Sequence, residues 1–567
     1  MDAQPWWKHT PIYHVYPRSF RDTNGDGFGD LPGITEKIPY LASLGVGALW
    51  MGPVFRSPQV DNGYDISDYR DIDPVFGSLD DMDRLIGAAH GEGIRVLLDL
   101  VFNHSSNQHP WFCASENDPD GPYGDFYIWR DAPEEGGLPN NWRSFFSVPA
   151  WSWSHRRGQY YLHMFAPEQP DLNWENPRVR EELAAVANFW LQRGVDGFRL
   201  DVINVISKAP GLPSIPESAA PCGARAATGR YIDGPRVLEF LQEFRSRLKS
   251  EREIVLVGET PGVSIQTAQR YTAAEHKALD MVLLFDHLAV DHGPGGRWDP
   301  APWTPGQLAE VIREQQTGLS GSSWPSLYVS NHDQPRVVSR YGSSTAYRSA
   351  SATAIATLFY LLRGTPILYQ GDEIAMANYP LQRPEEIVDI ESSNAFRDLT
   401  LHQGIDPHEA FRRVAENARD NSRTPMQWTG ETHGGFTVPE ATPWFPVNPD
   451  HTEWNVMAQE EPGNDSVLQY HRKLLALRAA SPALREGDFC LLTAADSVDV
   501  IAYRRTRSEQ TVTVVVNLSP RVAALPADGD IRTAEVLLRN YPEPDVGERT
   551  LAPYEAVVLE TRPRARL

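Results

Sequence analysis

The chain has 567 residues, of which 41% are hydrophobic and 22% are charged, a balance typical of a globular protein. This length is sufficient for one large barrel with one or two smaller domains. Asp and Glu outnumber Lys and Arg by 75 to 52, and the net charge of −23 disfavours nucleic acid or an anionic membrane as principal partner.

The N-terminal segment and the cysteines indicate where in the cell the protein is located. The segment MDAQPWWKHTPIYHVY lacks the basic and apolar regions of a signal peptide, and no run approaches about 20 uninterrupted apolar residues. Cys113, Cys222 and Cys490 are few, odd in number and widely spaced, without metal-ligand spacing. We therefore expect a cytoplasmic location, in which thiols stay reduced.

Short apolar runs that end at polar residues recur along the chain, and each predicts a β-strand buried on both faces. In chain order they are Ile12–Tyr16, Ala48–Met51, Val96–Val101, Gly197–Leu200, Ile254–Val257, Met281–Phe285, Leu327–Val329 and Ile367–Tyr369. Helical patterns lie between several of them, one over residues 79–89 and one over residues 179–190 that opens at Asn176-Pro177. Eight strands alternating with helices predict the α/β class and a (β/α)8 TIM barrel. A doubly wound sheet is the structural alternative.

Two segments depart from this alternation. Residues 105–170 are rich in Trp, Pro, Asn and Gly and are too long for a simple connection, which predicts a small inserted domain after strand three. After about residue 481 the pattern changes to β-branched runs, which predicts a C-terminal antiparallel β domain. The expected organisation is barrel 1–104, inserted domain 105–170, barrel 171–485 and C-terminal domain 486–567.

Polar residues collect where the predicted strands end, which is the catalytic face of such a barrel. Any one of them could be a helix cap or a structural histidine. Three carboxylates, two histidines and an arginine at one face favour an active site instead. The residues concerned are Asp61, Tyr64, Asp65, Asp99, Asn103, His104, Arg199, Asp201, Glu259, His332 and Asp333.

Glycoside hydrolysis with retention needs such a set: one carboxylate that attacks the anomeric carbon and one carboxylic acid about 5–5.5 Å away that protonates the leaving oxygen. Arg199 lies two residues before Asp201, on the same face of the strand, so its charge should keep Asp201 ionised. Glu259 should keep its proton because other carboxylates surround it. This asymmetry predicts Asp201 as the nucleophile and Glu259 as the general acid/base.

Six motifs strengthen this interpretation: DLVFNH (99–104), QPDLN (169–173), GFRLDVIN (197–204), VGETPG (257–262), SNHDQPRVVSR (330–340) and NSRTPMQW (421–428). With them the chain resembles the α-amylase family of glycoside hydrolases, and within it the oligo-1,6-glucosidase/α-glucosidase branch. The resemblance implies Asp201 as nucleophile, Glu259 as acid/base and Asp333 as the third carboxylate. It also implies substrate contacts at Asp61, Tyr64, His104, Phe146, Phe165, Gln169, Arg199, His332 and Arg423, with Arg419 as the alternative to Arg423.

The resemblance further suggests a linkage preference. Val after the nucleophile is typical of enzymes that favour α-1,6 links and Thr of those that favour α-1,4 links, so Val202 favours isomaltose-like substrates. Sucrose isomerases carry an RLDRD-like loop where this chain has GPGGRWDP (293–300), a departure that favours hydrolysis. Thr260 stands where Met is common in oligo-1,6-glucosidases, and the choice between hydrolysis and transfer stays open.

The segment DTNGDGFGD predicts a structural Ca²⁺ site. Asp22, Asn24, Asp26 and Asp30 place oxygen donors at alternate positions, and the carbonyl of Phe28 supplies a further ligand. The family resemblance supports a cation here, remote from the chemistry. An Asx-rich turn without metal is the alternative, because position twelve of an EF-hand-like loop would be Gly33.

The predicted function is that of an exo-acting α-glucosidase on short oligosaccharides, without an organic cofactor, as a monomer or weak homo-oligomer. Alternatives within the family are an α-1,4-glucosidase, a glucosyltransferase, and an enzyme acting on sucrose or trehalose 6-phosphate. A non-catalytic barrel relative is disfavoured because all three carboxylates are present.

Overall fold

Eight parallel strands form the core of the computed structural model, which describes residues 4–216, 227–461, 463–493, 497–526, 534–542 and 550–561. Cys222 lies outside these residues. The barrel strands are β1 (Ile12–Val15), β2 (Ala48–Met51), β3 (Arg95–Leu100), β4 (Gly197–Leu200), β5 (Val255–Glu259), β6 (Met281–Leu283), β7 (Ser326–Leu327) and β8 (Thr365–Tyr369). All except the first residues of β3 and β7 are buried, as the continuous apolar runs predicted.

The strands follow each other around a nearly closed barrel, in the order β6-β5-β4-β3-β2-β1-β8-β7. Strand β1 pairs with both β2 and β8, which confirms the TIM barrel and excludes the doubly wound sheet. No ladder joins β6 to β7 in the described chain. Side chains bridge this seam instead: the Ser326 hydroxyl donates to the Val282 carbonyl at 2.7 Å, and the Tyr328 hydroxyl donates to the Leu284 carbonyl at 2.7 Å.

Strand β7 is shorter than the sequence predicted, because it ends at Leu327 rather than Val329. It has a ladder partner on one side only, and Leu327 stands opposite Pro366 there. Since proline has no backbone N–H to donate, the ladder stops at this pair.

Two predicted helices are confirmed. Leu79–Gly91 begins at a capping box between Ser78 and Asp81 and buries Met82, Leu85, Ile86 and Ala89. Pro177–Arg193 begins at Asn176, whose side chain accepts from the Arg178 N–H. The other α-helices are Leu31–Glu36, Ile38–Leu44, Pro110–Asn117, Val237–Arg247, Ile265–Thr272, Pro305–Gly318, Val337–Arg340, Arg348–Tyr360, Ile390–Arg397, Pro407–Asn417, Val456–Glu460, Val467–Ala480 and Pro482–Glu486.

Smaller sheets flank the barrel. A three-stranded antiparallel sheet lies within residues 105–170, with strands Trp129–Arg130, Trp151–Ser154 and Gln159–Leu162. A five-stranded antiparallel sheet contains Asp488–Leu491, Val500–Arg507, Gln510–Asn517, Glu535–Arg539 and Ala556–Thr561. Three two-stranded pairs are Phe55–Arg56 with Asp68–Ile72, His292–Gly293 with Gly296–Pro300, and Ala523–Ala524 with Thr550–Leu551.

Two buried arginines connect the five-stranded sheet and the last long helix to the barrel. Arg505 donates to the carbonyl of Leu361 at 2.8 Å, and Arg478 donates to the carbonyls of Tyr360 and Leu362 at 2.7 and 2.8 Å. These carbonyls belong to the last residue of the helix Arg348–Tyr360 and to the two residues after it, where a cation is favourable. None of the helices in the described part of the chain combines the length and apolar character needed to cross a bilayer.

Candidate active site

The carboxyl ends of the barrel strands surround a cavity of about 160 Å³. Asp201 directly follows β4, Glu259 ends β5, and Asp333 lies in the turn after β7. Strands β4 and β5 pair Leu200 with Gly258, so Asp201 and Glu259 come next in register on neighbouring strands. The predicted site residues that line the cavity are Asp61, Tyr64, His104, Phe146, Phe165, Asp201, Val202, Glu259 and Asp333.

Arg199 lies beneath the cavity and is almost completely buried, at 1% exposed. Its Nη1 is 2.6 Å from Asp201 Oδ1 and 2.7 Å from Asp99 Oδ1, and its Nη2 is 2.7 Å from Glu259 Oε2. The backbone N–H of Val202 also donates to Glu259 Oε2, at 3.1 Å. One guanidinium therefore holds both carboxyl groups on which the predicted chemistry depends.

This geometry corrects the predicted electrostatics. Burial raises the pKa of Asp201 well above its ordinary value, and the Glu259 and Asp99 carboxylates raise it further, against the opposing charge of Arg199. The structure does not show the predicted asymmetry, in which Arg199 acts on Asp201, because Arg199 contacts both members of the pair.

Asp333 has a different environment, rich in donors. Its Oδ1 is 2.9 Å from Arg423 Nη2 and 3.2 Å from Arg419 Nη1, and its Oδ2 is 3.0 Å from His332 Nε2. Although burial by itself acts to raise the pKa of Asp333, His332, Arg419 and Arg423 hold it well below the ordinary value. Asp333 is therefore a carboxylate at neutral pH.

Tyr64 and His332 form a stacked pair against this carboxylate. Their ring centroids are 5.3 Å apart with planes 5° apart, and the Tyr64 hydroxyl lies 2.7 Å from His332 Nε2. The same hydroxyl donates to Asp99 Oδ2 at 3.0 Å, so its oxygen is left to accept from His332 Nε2–H. His332, predicted as a substrate contact, therefore lies against Asp333 and is not among the residues that line the cavity.

Asp61 and His104 line the cavity and are joined by Gln169, which lies outside its lining. Gln169 Nε2 donates to Asp61 Oδ2 at 3.1 Å and lies 3.2 Å from His104 Nε2. Burial raises the pKa of Asp61 to about 6, against the nearby charge of Arg419, and burial lowers the pKa of His104 to about 4. His104 is therefore neutral near pH 7 and can exchange hydrogen bonds with a neutral hydroxyl group.

The inserted segment contributes an aromatic wall. Phe165 lies 4.9 Å from the His104 ring and 5.4 Å from the Phe146 ring, between centroids. Phe145, which the sequence analysis did not select, stacks on Phe165 at 5.2 Å and also lines the cavity. Apolar ring faces of this kind suit the apolar face of a sugar.

The choice between the two arginines is also corrected. Arg419 lines the cavity, and its Nη2 lies 3.0 Å from Asp61 Oδ1. Arg423 does not line it; this residue lies behind Asp333 and donates to the His332 carbonyl at 3.0 Å. The two lie four positions apart, at the start and the C-cap of the 3-10 helix Arg419–Ser422, so sequence spacing could not decide which one faces the cavity. The sequence analysis also did not select the lining residues Pro261, Phe285, Arg297, Gln334 and Glu391.

Val202 has an unusual backbone conformation, with φ of 35° and ψ of 41°. A β-branched residue in this left-handed region is strained by about 1–3 kcal/mol. The conformation directs the Val202 N–H at Glu259 and places the side chain on the cavity wall. The strained backbone at Val202 therefore helps to hold the Glu259 carboxyl group in place.

The family relationship follows from comparison with known proteins. A family profile described as "Alpha amylase, catalytic domain" matches residues 14–487. The chain belongs to the α-amylase family. An oligo-1,6-glucosidase from Parageobacillus thermoglucosidasius is 44% identical to this α-amylase-family chain, over 98% of the chain and 99% of the relative. A trehalose-6-phosphate hydrolase from Escherichia coli is 43% identical, over 97% of the chain and 98% of the relative.

Solved structures agree. A variant isomaltulose synthase from Erwinia rhapontici, in complex with its natural substrate sucrose, superposes with a TM-score of 0.94 and 36% identity, over 99% of this chain and 100% of that chain. The predicted fold class and the predicted class of enzyme, a retaining glycoside hydrolase of the α-amylase family, are confirmed.

The predicted calcium loop has well-ordered carboxylates. Asp22 accepts from the N–H groups of Asn24 and Gly25 at 3.0 and 2.8 Å, and Asp30 caps the helix Leu31–Glu36 by accepting from the Gly33 N–H at 2.7 Å. Asn24 and Asp26 close further turns by accepting from the N–H groups two residues on. These bonds are those of an Asx-rich turn.

The loop fits a hard cation in donor type, since its side chains and the Phe28 carbonyl offer only oxygen ligands. However, no three or more His, Cys, Asp or Glu side chains lie together in a metal-binding arrangement within the described residues. Metal binding at Asp22, Asn24, Asp26, Phe28 and Asp30 stays a prediction.

Proposed function

We propose that the protein is a retaining, exo-acting α-glucosidase that prefers short α-1,6-linked oligosaccharides such as isomaltose. The observation that carries this proposal is the meeting of Asp201, Glu259 and Asp333 around one small cavity. Its volume of about 160 Å³ is well below the ~300–1,000 Å³ of pockets for larger ligands, which favours one terminal sugar unit. A non-catalytic relative would not need these three carboxyl groups around one cavity.

In the proposed mechanism, Asp201 attacks the anomeric carbon while Glu259 gives its proton to the glycosidic oxygen. The bond between the anomeric carbon and the glycosidic oxygen breaks in this step. The products of this first step are the freed sugar and a glucosyl ester on Asp201. Glu259 then takes a proton from water, whose oxygen attacks the anomeric carbon and restores the Asp201 carboxylate. Family membership and strand position support these roles; the shared contact with Arg199 does not distinguish them.

The remaining residues would bind the terminal glucosyl unit. Asp333 is ionised and presents carboxylate oxygens to ring hydroxyls, while Asp61 and Arg419 line the cavity beside it. Because Asp333 accepts charge-assisted bonds from three cationic or polar groups, its orientation is fixed before substrate binds.

We expect Val202→Thr to lower the ratio of kcat/KM for isomaltose to that for maltose by about tenfold, since one pocket contact is worth about 1–3 kcal/mol. Steady-state kinetics on both disaccharides checks this prediction. Val263→Thr, a buried valine near Glu259 that does not line the cavity, is the matched control and should leave the ratio unchanged. An unchanged ratio in Val202→Thr would remove Val202 as the basis of linkage preference.

A glucosyltransferase or sucrose-isomerising activity is the second candidate, and one observation favours it. Arg297, from the hairpin at residues 292–300, lines the cavity and lies 3.4 Å from Glu391, so this hairpin reaches the wall where an acceptor would bind. Product analysis on isomaltose, maltose, sucrose and trehalose 6-phosphate separates the candidates. Accumulation of isomeric disaccharides from sucrose would support the second.

We also propose that Ca²⁺ binds the loop of residues 22–30, where the side chains of Asp22, Asn24, Asp26 and Asp30 and the Phe28 carbonyl would hold it. Chelation is expected to lower Tm by about 2 °C or more, because a ligand that binds only the folded chain stabilises it. Readdition of Ca²⁺ should reverse the shift, as differential scanning fluorimetry would show. An unchanged Tm together with no bound metal by elemental analysis would contradict this proposal.

A cytoplasmic location and a monomeric or weakly associated state complete the proposal. Cys113 and Cys490 are exposed free thiols, which supports a reducing compartment. Fractionation of cells and light scattering of the purified protein test these two points.

A further inference from the structure

Asp389 lies behind the cavity without lining it and is fully buried. Its Oδ1 accepts from Arg419 Nε at 2.7 Å and lies 3.3 Å from Arg423 Nη1. Its Oδ2 accepts from the backbone N–H and the hydroxyl of Ser392, at 2.8 and 2.7 Å, and so caps the helix Ile390–Arg397. The two oxygens thus have separate partners: one binds arginines and the other caps a helix.

The same two arginines reach the cavity wall. Arg419 donates to Asp61 Oδ1 at 3.0 Å and to Asp333 Oδ1 at 3.2 Å, and Arg423 donates to Asp333 Oδ1 at 2.9 Å. Glu391, which also lines the cavity, lies 3.3 Å from Arg419 Nε. Asp389 therefore shares these two guanidinium groups with the cavity carboxylates. Because both arginines are buried, the loss of one carboxylate cannot be compensated by solvent.

We propose that Asp389 is a positioning residue for the sugar site: its charge holds Arg419 and Arg423 back, so that Asp61 and Asp333 keep oxygen lone pairs free for sugar hydroxyls. The identity of the sugar as a glucosyl unit rests on the proposed function. Without this charge, Arg419 and Arg423 turn toward Asp333 and occupy the acceptors that the sugar needs.

The ionisation of Asp389 is consistent with this role. Burial acts to raise its pKa, but Arg419 and Arg423 outweigh burial and lower the pKa to about 2. Asp389 is therefore a carboxylate at neutral pH.

Asp389→Asn tests the charge with little change of shape, because Asn is as good a helix N-cap as Asp. We expect the Kd for glucose, measured by calorimetry on the full chain, to rise by about tenfold or more, since a buried charge pair is broken. The KM for p-nitrophenyl α-glucoside should rise in parallel, with a smaller change in kcat. Asp389→Glu, which keeps the charge, should restore part of the affinity.

Two control variants separate positioning from simple stability. Ser392→Ala removes a cap contact of Asp389 but leaves its charge, and it should lower Tm with an unchanged Kd for glucose. Asp406 is an exposed helix cap, at Pro407–Asn417, that contacts no arginine in the described part of the chain, and Asp406→Asn should leave Kd unchanged. Equal effects of Asp389→Asn and Ser392→Ala on Kd would overturn the proposal.

If Asp389→Asn does not fold, the double variant Asp389→Asn/Arg423→Gln decides, because it removes one cation with the anion. If the double variant folds, the charge of Asp389 balances that of the arginines, as proposed. If neither variant folds, the proposed charge balance is overturned. Failure of the proposed function is distinguishable: the wild-type protein would then bind glucose without hydrolysing isomaltose, while the dependence of glucose binding on Asp389 would remain measurable.

Discussion

Asp201→Asn is expected to lower kcat by about 10⁴-fold or more on every glucoside, whatever the leaving group. Asn has nearly the same shape as Asp and can still accept from Arg199, so the site stays assembled. Its amide cannot form the glucosyl ester, so the first step loses its nucleophile. Steady-state kinetics on isomaltose and p-nitrophenyl α-glucoside, with a check of Tm, measures this loss.

The same strand provides a matched control. Asp196 precedes β4 at the opposite end of the barrel, where it contacts His90 and Arg95 at 2.7 and 3.0 Å. Asp196→Asn should therefore lower Tm without a comparable loss of kcat. Asp201→Ala adds a chemical test, because azide fits the space left by the carboxylate and should produce β-glucosyl azide. Wild-type turnover in Asp201→Asn would reject the whole assignment.

The sequence predicted the barrel and the position of the carboxylates because both depend on local patterns. A buried parallel strand needs a continuous apolar run, and its carboxyl end is marked by the first polar residue. Asp201 and Glu259 both occupy such ends, and the register of β4 with β5 then makes them neighbours.

The electrostatics could not be predicted in the same way, because they depend on distances between strands. The sequence shows that Arg199 shares a face with Asp201, but it does not show that Nη2 reaches Glu259 on the next strand. Burial, which dominates the pKa of Asp201, is likewise a property of the assembled site.

Site residues that lie in loops were also difficult to predict from the sequence. Neither Arg419 nor Asp389 directly follows a barrel strand, so Arg419 was named only as an alternative through the family resemblance and Asp389 was not named. They meet because a 3-10 helix and the start of a short α-helix pack together behind Asp333. Contacts of this kind are set by tertiary packing and leave no periodic signal.

Glu259→Gln is expected to separate substrates by leaving group. For isomaltose, whose departing sugar needs a proton, we expect kcat/KM to fall by about 10³–10⁴-fold, near the upper range of general acid catalysis. For p-nitrophenyl α-glucoside, whose leaving group is stable as an anion, the loss in the first step should be much smaller. Gln can still accept from Val202 N–H and Arg199, so the pocket should stay intact.

Azide sharpens this test because it needs no general base to attack the glucosyl ester. With the aryl glucoside, azide should raise the turnover of Glu259→Gln and release α-glucosyl azide, since attack inverts the β-linked ester. Glu373→Gln is the matched control: Glu373 is equally buried and accepts from the Tyr13 and Tyr40 hydroxyls, but it does not line the cavity. It should show neither leaving-group dependence nor azide activation. A purely structural change would lower kcat/KM equally for isomaltose and the aryl glucoside. Equal losses of this kind without an azide effect would therefore place the acid/base at another residue.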